Sequence, residues 1–230
     1  THDPLPISLS DTPRPGNAKF KKLTPVDPNS TNPYQLTEAD RTVIGNTTPK
    51  FSGGFGLNAT YKGFDMSMFF NFMYDFDVLN ANKIMLTTWA DNKENNFLMD
   101  IASDKRWRNF DDMGNEIRYS PEVLAEFNKN ATMWNPTSIG RPICMSYAVE
   151  DGSFLRLNSA TLGYTLPSVW TKKVGLSKVR FYVSGNNLFT LTGYSGYDPE
   201  VNIATGLTPN IDYDRYPRSR TYTFGAQLTF

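Results

Sequence analysis

Apolar residues fall at alternate positions from Phe51 onward. Phe51, Gly53, Phe55, Leu57, Ala59 and Tyr61 share one phase, and Ser52, Gly54, Gly56, Asn58 and Thr60 share the other. After Lys62-Gly63 the phase restarts with Phe64, Met66, Met68, Phe70, Phe72, Tyr74, Phe76 and Val78. The facing set is Asp65, Ser67, Phe69, Asn71, Met73, Asp75 and Asp77. A period of two sustained this long predicts two strands joined by a tight turn. Strands of soluble proteins average about 5–6 residues, whereas a tilted barrel strand crossing a bilayer needs about 9–11.

Three further strands are predicted. Residues 151–166 carry Ala160, Leu162, Tyr164 and Leu166 on one face, but Leu155 and Leu157 are out of phase, which predicts a bulge near Asn158. Val179, Phe181 and Val183 open a fourth strand running to about Thr190, and Tyr222, Phe224, Ala226, Leu228 and Phe230 mark a fifth. Residues 1–49 are rich in Pro, Asn, Thr and Asp and read as an extended loop.

The apolar phases of the first two strands hold no charge, while three aspartates face the other way in the second. A second sheet or a lipid layer would both account for that gap, because one Lys or Arg at mid-bilayer costs about 2–4 kcal/mol. Strand length favours lipid. Long and short connections alternate: 1–49, the turn at 62–63, 79–150, 167–178 and 191–217. Membrane barrels have short periplasmic turns and long outer loops, so a periplasmic C-terminus would place residues 1–49, 79–150 and 191–217 outside. The expected fold class is therefore all-β, a transmembrane antiparallel β-barrel. Residues 1–49 form an extracellular loop segment and residues 50–230 its C-terminal strands. Five strands cannot close such a barrel, and an open edge in lipid leaves amides unsatisfied. Upstream sequence or a partner chain is expected to complete it.

Composition changes this picture little. The 23 basic and 23 acidic residues among 230 balance, giving no lead to nucleic acid. Mean hydropathy is −0.45, and no apolar stretch approaches the roughly 18–20 residues of a spanning helix. The chain opens Thr1-His2-Asp3-Pro4 without a leader, as expected of a processed or downstream piece. The single cysteine, Cys144, excludes an intrachain disulfide and is expected to be a small buried apolar residue.

No catalytic constellation is visible. The only histidine is His2, Ser153 has no histidine partner, Asp111-Asp112 reads as solvated surface, and no cofactor or metal is expected. Binding is better supported. The 79–150 segment holds Trp89, Trp107 and Trp134, with Asp91, Asn92, Asn95 and Asn96 nearby. Aromatic faces beside amides suit a sugar, a peptide or a protein lid; equally, the rings could pack the segment on itself. The candidate substrate contacts are Trp89, Asn92, Trp107 and Trp134. Tyr61, Tyr164, Trp170 and Tyr222 read as a membrane-interface belt. Phe224, Gly225, Leu228 and Phe230 match the aromatic-ended pattern by which barrel-assembly machinery takes up a last strand.

Several motifs are family-specific. They are Asp40-Arg41-Thr42-Val43-Ile44-Gly45-Asn46, Pro49-Lys50-Phe51 with Gly53-Gly54, and Tyr61-Lys62-Gly63-Phe64-Asp65. Asp151-Gly152-Ser153-Phe154-Leu155-Arg156-Leu157, Thr161-Leu162-Gly163-Tyr164 and Gly185-Asn186-Asn187-Leu188-Phe189-Thr190 follow. Residues 194–200 with Asp198-Pro199, Pro217-Arg218, and Arg220-Thr221-Tyr222-Thr223-Phe224-Gly225 close the series. In this order they resemble the C-terminal part of the SusC/RagA family of TonB-dependent outer-membrane transporters of Bacteroidetes. The resemblance implies a barrel of about twenty-two strands, an N-terminal plug that contacts TonB, and a SusD-like surface lipoprotein as lid. It also implies import of a nutrient across the outer membrane, with oligosaccharide favoured and peptide the other candidate. Many members carry an acidic stretch before the Asp-Arg-Thr-Val motif, but residues 27–32 lack its aspartate-glycine pair, so no metal site is carried over. The competing readings are an adhesin or interaction platform and, further off, a barrel hydrolase whose Ser/His pair would lie upstream.

Overall fold

The computed structural model describes residues 15–26, 28–29, 36–88, 96–101, 104–138, 143–201, 210–213 and 216–230. The chain divides into two compact units, Thr1–Ile44 with Ala81–Ala148, and Gly45–Asn80 with Val149–Phe230.

The second unit is built on a five-stranded antiparallel sheet. Its strands are β1 (Phe51–Tyr61), β2 (Phe64–Tyr74), β5 (Phe154–Thr165), β6 (Lys178–Thr192) and β8 (Thr221–Thr229), in the order β1-β2-β5-β6-β8. β1 and β2 pair without interruption from Phe51↔Tyr74 to Tyr61↔Phe64. Lys62 (φ 44°) and Gly63 (φ 89°) make the turn. Positive φ at both central residues matches the right-handed twist of the flanking strands. The predicted bulge is present: β5 shifts register between Leu157 and Ser159 against β6, and β2 shifts opposite it at Phe69/Phe70. The extra residue brings Leu155 and Leu157 onto the same face as Leu162.

Three expectations need correction. β2 ends at Tyr74, four residues short of Val78, because Asp75 adopts φ 59° and breaks the ladder. Phe76 and Val78 are buried rather than continuing the apolar face, and Asp77 opens a second sheet. That sheet has the order β4-β3-β7, from β4 (Val149–Asp151), β3 (Asp77–Asn80) and β7 (Ile211–Asp212), with β3 and β7 parallel. Most of its residues come from regions expected to be loops, but Asp77 and Val78 come from the expected end of the second strand and Asp151 from the start of the third. Phe76, Val78, Phe154, Tyr194 and Val201, with Met73 against them, form its core. Finally, the 167–178 connection contains a helical turn, Ser168–Thr171, continued by a 3-10 turn.

The first unit carries short helices, α1 (Ala81–Met85) and α2 (Pro121–Phe127), and a hairpin closed by a bridge between Phe110 and Glu116. Ile101, Ile117 and Leu124 are buried. Residues 79–150 are therefore not one continuous loop. Cys144 is exposed, against expectation, because Met145 and Ala148 take the buried positions of its short segment. No helix among the described residues is long and apolar enough to cross a membrane.

Candidate functional site

Register decides what each face of the large sheet carries. Leu57 pairs with Met68, Met68 with Ala160, and Ala160 with Gly185, while Met66 pairs with Leu162, Leu162 with Val183 and Val183 with Phe224. Because side chains alternate along a strand, one face is apolar across all five strands and bears no charged residue. The exposed large apolar residues Phe55, Leu57, Phe64, Met66, Leu162, Phe181, Phe224 and Leu228 all belong to it. Five strands of this length present on the order of 800 Å², beyond the roughly 300–600 Å² of the largest apolar patch on a typical soluble monomer. Among the described residues β1 and β8 each pair on one side only, so the sheet has two free edges.

The opposite face is largely polar: Asn58, Ser67, Thr161, Ser184 and Thr223 are in register, Ser52, Thr60 and Gln227 share the face, and Phe69, Met73 and Phe154 are among its apolar members. Near the turn end, Arg180 reaches across Gly163 to Asp65 in a two-pronged pair, Nε to Oδ1 at 2.9 Å and Nη2 to Oδ2 at 2.5 Å. A β-carbon at Gly163 would run into the Arg180 guanidinium, and one at Gly225 into the Tyr182 ring. Arg180 also lies 5.2 Å from the centre of that ring. The two glycines thus open the surface on which this network lies.

A second charged group sits on the polar face at the other end of β5. The Arg156 side chain is 1% exposed and donates to Asp198 Oδ1 at 2.5 Å, with Glu200 at 3.6 Å. Arg218 approaches Glu200 at 3.2 Å and Asp198 at 3.8 Å. Asn187, held at φ 54°, accepts a hydrogen bond from Arg156 at 3.4 Å and donates to the Arg218 carbonyl at 3.1 Å. Sequence reasoning missed this cluster. The five residues stood in four different motifs, Asp198 and Glu200 sharing one, and only the fold brings those motifs together.

Among the candidate substrate contacts, Trp89 and Asn92 lie outside the described residues. Trp107 and Trp134 are half-buried and stand on segments joined by the Arg106–Met133 bridge. Trp134 donates its indole N–H to the Thr87 carbonyl at 3.3 Å and meets Tyr147 edge-on, with ring centres 4.9 Å apart. Trp107 lies over Gly16, whose φ of 86° and bare α-carbon permit the approach. Asp40, of the Asp-Arg-Thr-Val motif, accepts from the backbone amides of Thr24, Leu23 and Thr37 at 2.7–2.9 Å, and Lys22 pairs with it at 3.4 Å. The Thr24 amide first, then that of Thr37, hold its carboxyl well below the usual carboxylate range. That motif is therefore a loop anchor with its acceptors taken. Among the described residues no group of three or more His, Cys, Asp or Glu side chains could hold a metal ion.

No protein-family model matches the chain. TonB-dependent receptor P3 of Formosa agariphila is 34% identical over 229 residues, covering 97% of this chain and 20% of that protein. TonB-dependent receptor SusC of Bacteroides thetaiotaomicron is 36% identical over 88 residues, 36% of this chain and 8% of that protein. Among solved structures, the RagAB peptide importer in its closed-closed state superposes with a TM-score of 0.63 at 25% identity, covering 85% of this chain and 19% of that one. Its open-open state gives 0.61 at 26% identity over the same shares. The chain belongs to the SusC/RagA-type TonB-dependent receptors. It spans about a fifth of the length of the F. agariphila receptor P3. Within this receptor segment Tyr61, Tyr164 and Trp170 lie toward one end of the sheet, whereas Tyr222 pairs with Gly185 at the middle of β6. Phe224, Leu228 and Phe230 are exposed, and Gly225 lies beneath the Tyr182 ring.

Proposed function

We propose that residues 50–230 supply closing strands of an outer-membrane TonB-dependent transporter that imports a nutrient. The observation that carries this reading is the uncharged apolar face running unbroken across five strands, four of them 11 residues or longer. In water such a face would drive aggregation, whereas in lipid it is the required surface. Further strands, supplied elsewhere in the receptor, pair with the free edges of β1 and β8, since unpaired amides in hydrocarbon each cost several kcal/mol. Residues 1–49, 79–150 and 191–217 then face outward, with the 62–63 and 167–178 connections and the C-terminus periplasmic. Tyr61, Tyr164, Trp170 and Tyr222 serve as the membrane-interface belt, and Phe224, Gly225, Leu228 and Phe230 present the last strand to the assembly machinery.

The cargo in this reading is an oligosaccharide, captured between the outer segments and a SusD-like lipoprotein lid and released inward when TonB pulls on a plug. Trp89, Asn92, Trp107 and Trp134 are the proposed contacts. The amide- and hydroxyl-rich polar face, whose Asp65 and Arg180 neutralise each other, supports a neutral polar cargo. A peptide cargo is the second reading, supported by the likeness to a protein described as a peptide importer. Deleting the gene and measuring growth on single glycans or peptides tests both. Loss on one glycan supports the first, loss on peptide alone the second, and full growth on every source leaves an adhesin or platform in their place.

A further inference from the structure

The segment after β6 turns back over the polar face of the sheet instead of leaving it. Arg156 stands on that face, since its neighbours Leu155 and Leu157 belong to the apolar one. Asp198 is nevertheless 2.5 Å from its guanidinium. Two further ties hold the segment to the small sheet. The Tyr194 hydroxyl donates to Asp212 at 2.7 Å, and the Ser195 amide donates to Glu150 at 3.0 Å. Tyr194, Asp198, Pro199 and Val201 are all buried, so the segment is packed along its length. Tyr197, between these ties, is 79% exposed.

We infer that residues 194–201 form a fixed inner lip on the polar side of the sheet, fastened by Arg156, and that this lip narrows the mouth of the passage. The inference rests on the barrel reading above, in which the polar face lines the lumen. A buried guanidinium shared between Asp198 and Glu200 suits fastening: of the two charges brought in by one loop, a wall residue that cannot lose its proton balances one, and Arg218 the other. Removing Arg156 would leave the two carboxylates with only the more exposed Arg218 to offset them, so the lip should loosen at its Asp198–Glu200 end. The burial of Tyr194 and Val201 argues for a static constriction and against a gate that opens in each cycle.

The test uses the whole receptor in outer-membrane vesicles, with Tyr197→Cys carrying a nitroxide label. An Arg156→Gln change should shorten the label's rotational correlation time several-fold and raise the cell's sensitivity to a large glycopeptide antibiotic several-fold. Asp198→Asn, nearly isosteric and so compatible with assembly, should do the same to a lesser degree. A label equally immobile in both variants would overturn the inference. So would loss of import on locking the lip to the small sheet through a Ser195→Cys/Glu150→Cys disulfide, since a static lip tolerates the lock. If the receptor never reaches the outer membrane even with Arg156 intact, the barrel reading itself fails instead.

Discussion

Phe55, Leu57, Leu162 and Phe224 stand out from the large sheet with 43–80% of their surface exposed, whereas Ile101, Ile117 and Leu124 of the first unit are buried. The same residue types therefore serve two solvents. In the sheet the apolar side chains face outward and the polar ones share the inner ladder, as in Asp65 with Arg180. In the first unit the order is the one familiar from water-soluble folds: aliphatic groups go inside, and polar atoms satisfy nearby backbone, as Asn128 does for Arg108 and Leu124. A residue's hydrophobicity does not reveal which regime it obeys; the period of the pattern around it does.

The sharpest way to break this comparison is to place one charge on each face of the same strand. Leu57 and Asn58 are neighbours near the middle of β1, paired with Met68 and Ser67 on opposite faces. Leu57→Arg should destabilise the folded receptor in vesicles by about 2–4 kcal/mol, the cost of a cation near mid-bilayer. Asn58→Arg should stay within about 0.5 kcal/mol, as for a change at a wet surface. Urea titration of the vesicle-bound protein, with heat-modifiable gel mobility reporting the folded fraction, reads both. Equal losses would mean that protein, not lipid, covers the apolar side.

The sheet was legible in the sequence because its signal is local and repetitive. Phe51 through Tyr74 show the period directly, and even the bulge near Asn158 followed from Leu155 and Leu157 being out of phase. What escaped reading depended on single backbone angles or distant partners. Asp75 at φ 59° looks in sequence like one more polar position, yet it ends β2 and sends Phe76 and Val78 into another core. The small sheet joins β3 to β7 across more than a hundred residues of chain. Arg156, Asn187, Asp198 and Arg218 each belonged to a quoted motif, but nothing in their spacing said that they meet. Cys144 was misread because a lone cysteine carries no period that could place it.

A smaller effect sharpens the other side of the comparison. If Trp134 belongs to the packing of the first unit, its N–H bond to Thr87 holds that unit together. Trp134→Phe keeps a ring and removes the donor, so the loss should be about 1 kcal/mol, the net worth of such a bond plus the orphaned carbonyl. Hydrogen exchange should quicken at amides of the first unit and stay unchanged in β1 and β2. Cargo affinity should hardly move, because a phenyl ring still stacks. A large fall in affinity without faster exchange would instead make the indole N–H a direct cargo contact.

The smallest expected effect concerns the polar face itself. Gly163 leaves room for Arg180 to cross from β6 to Asp65 on β2, and a methyl group there meets only the flexible end of the arginine. Gly163→Ala should therefore displace the guanidinium rather than the backbone. Asp65 is 35% exposed, so water and ions screen the pair and its loss should cost little stability. Coupling gives the clearer readout. If Asp65 and Arg180 interact only through the gap at Gly163, Asp65→Asn should cost measurably less in the Gly163→Ala background than in the wild type. Strict additivity would show that the pair survives by another route, and that the glycine serves strand curvature instead. The contrast with Leu57→Arg is the physical point: one charge moved along the wet face is nearly free, while one added to the dry face is not.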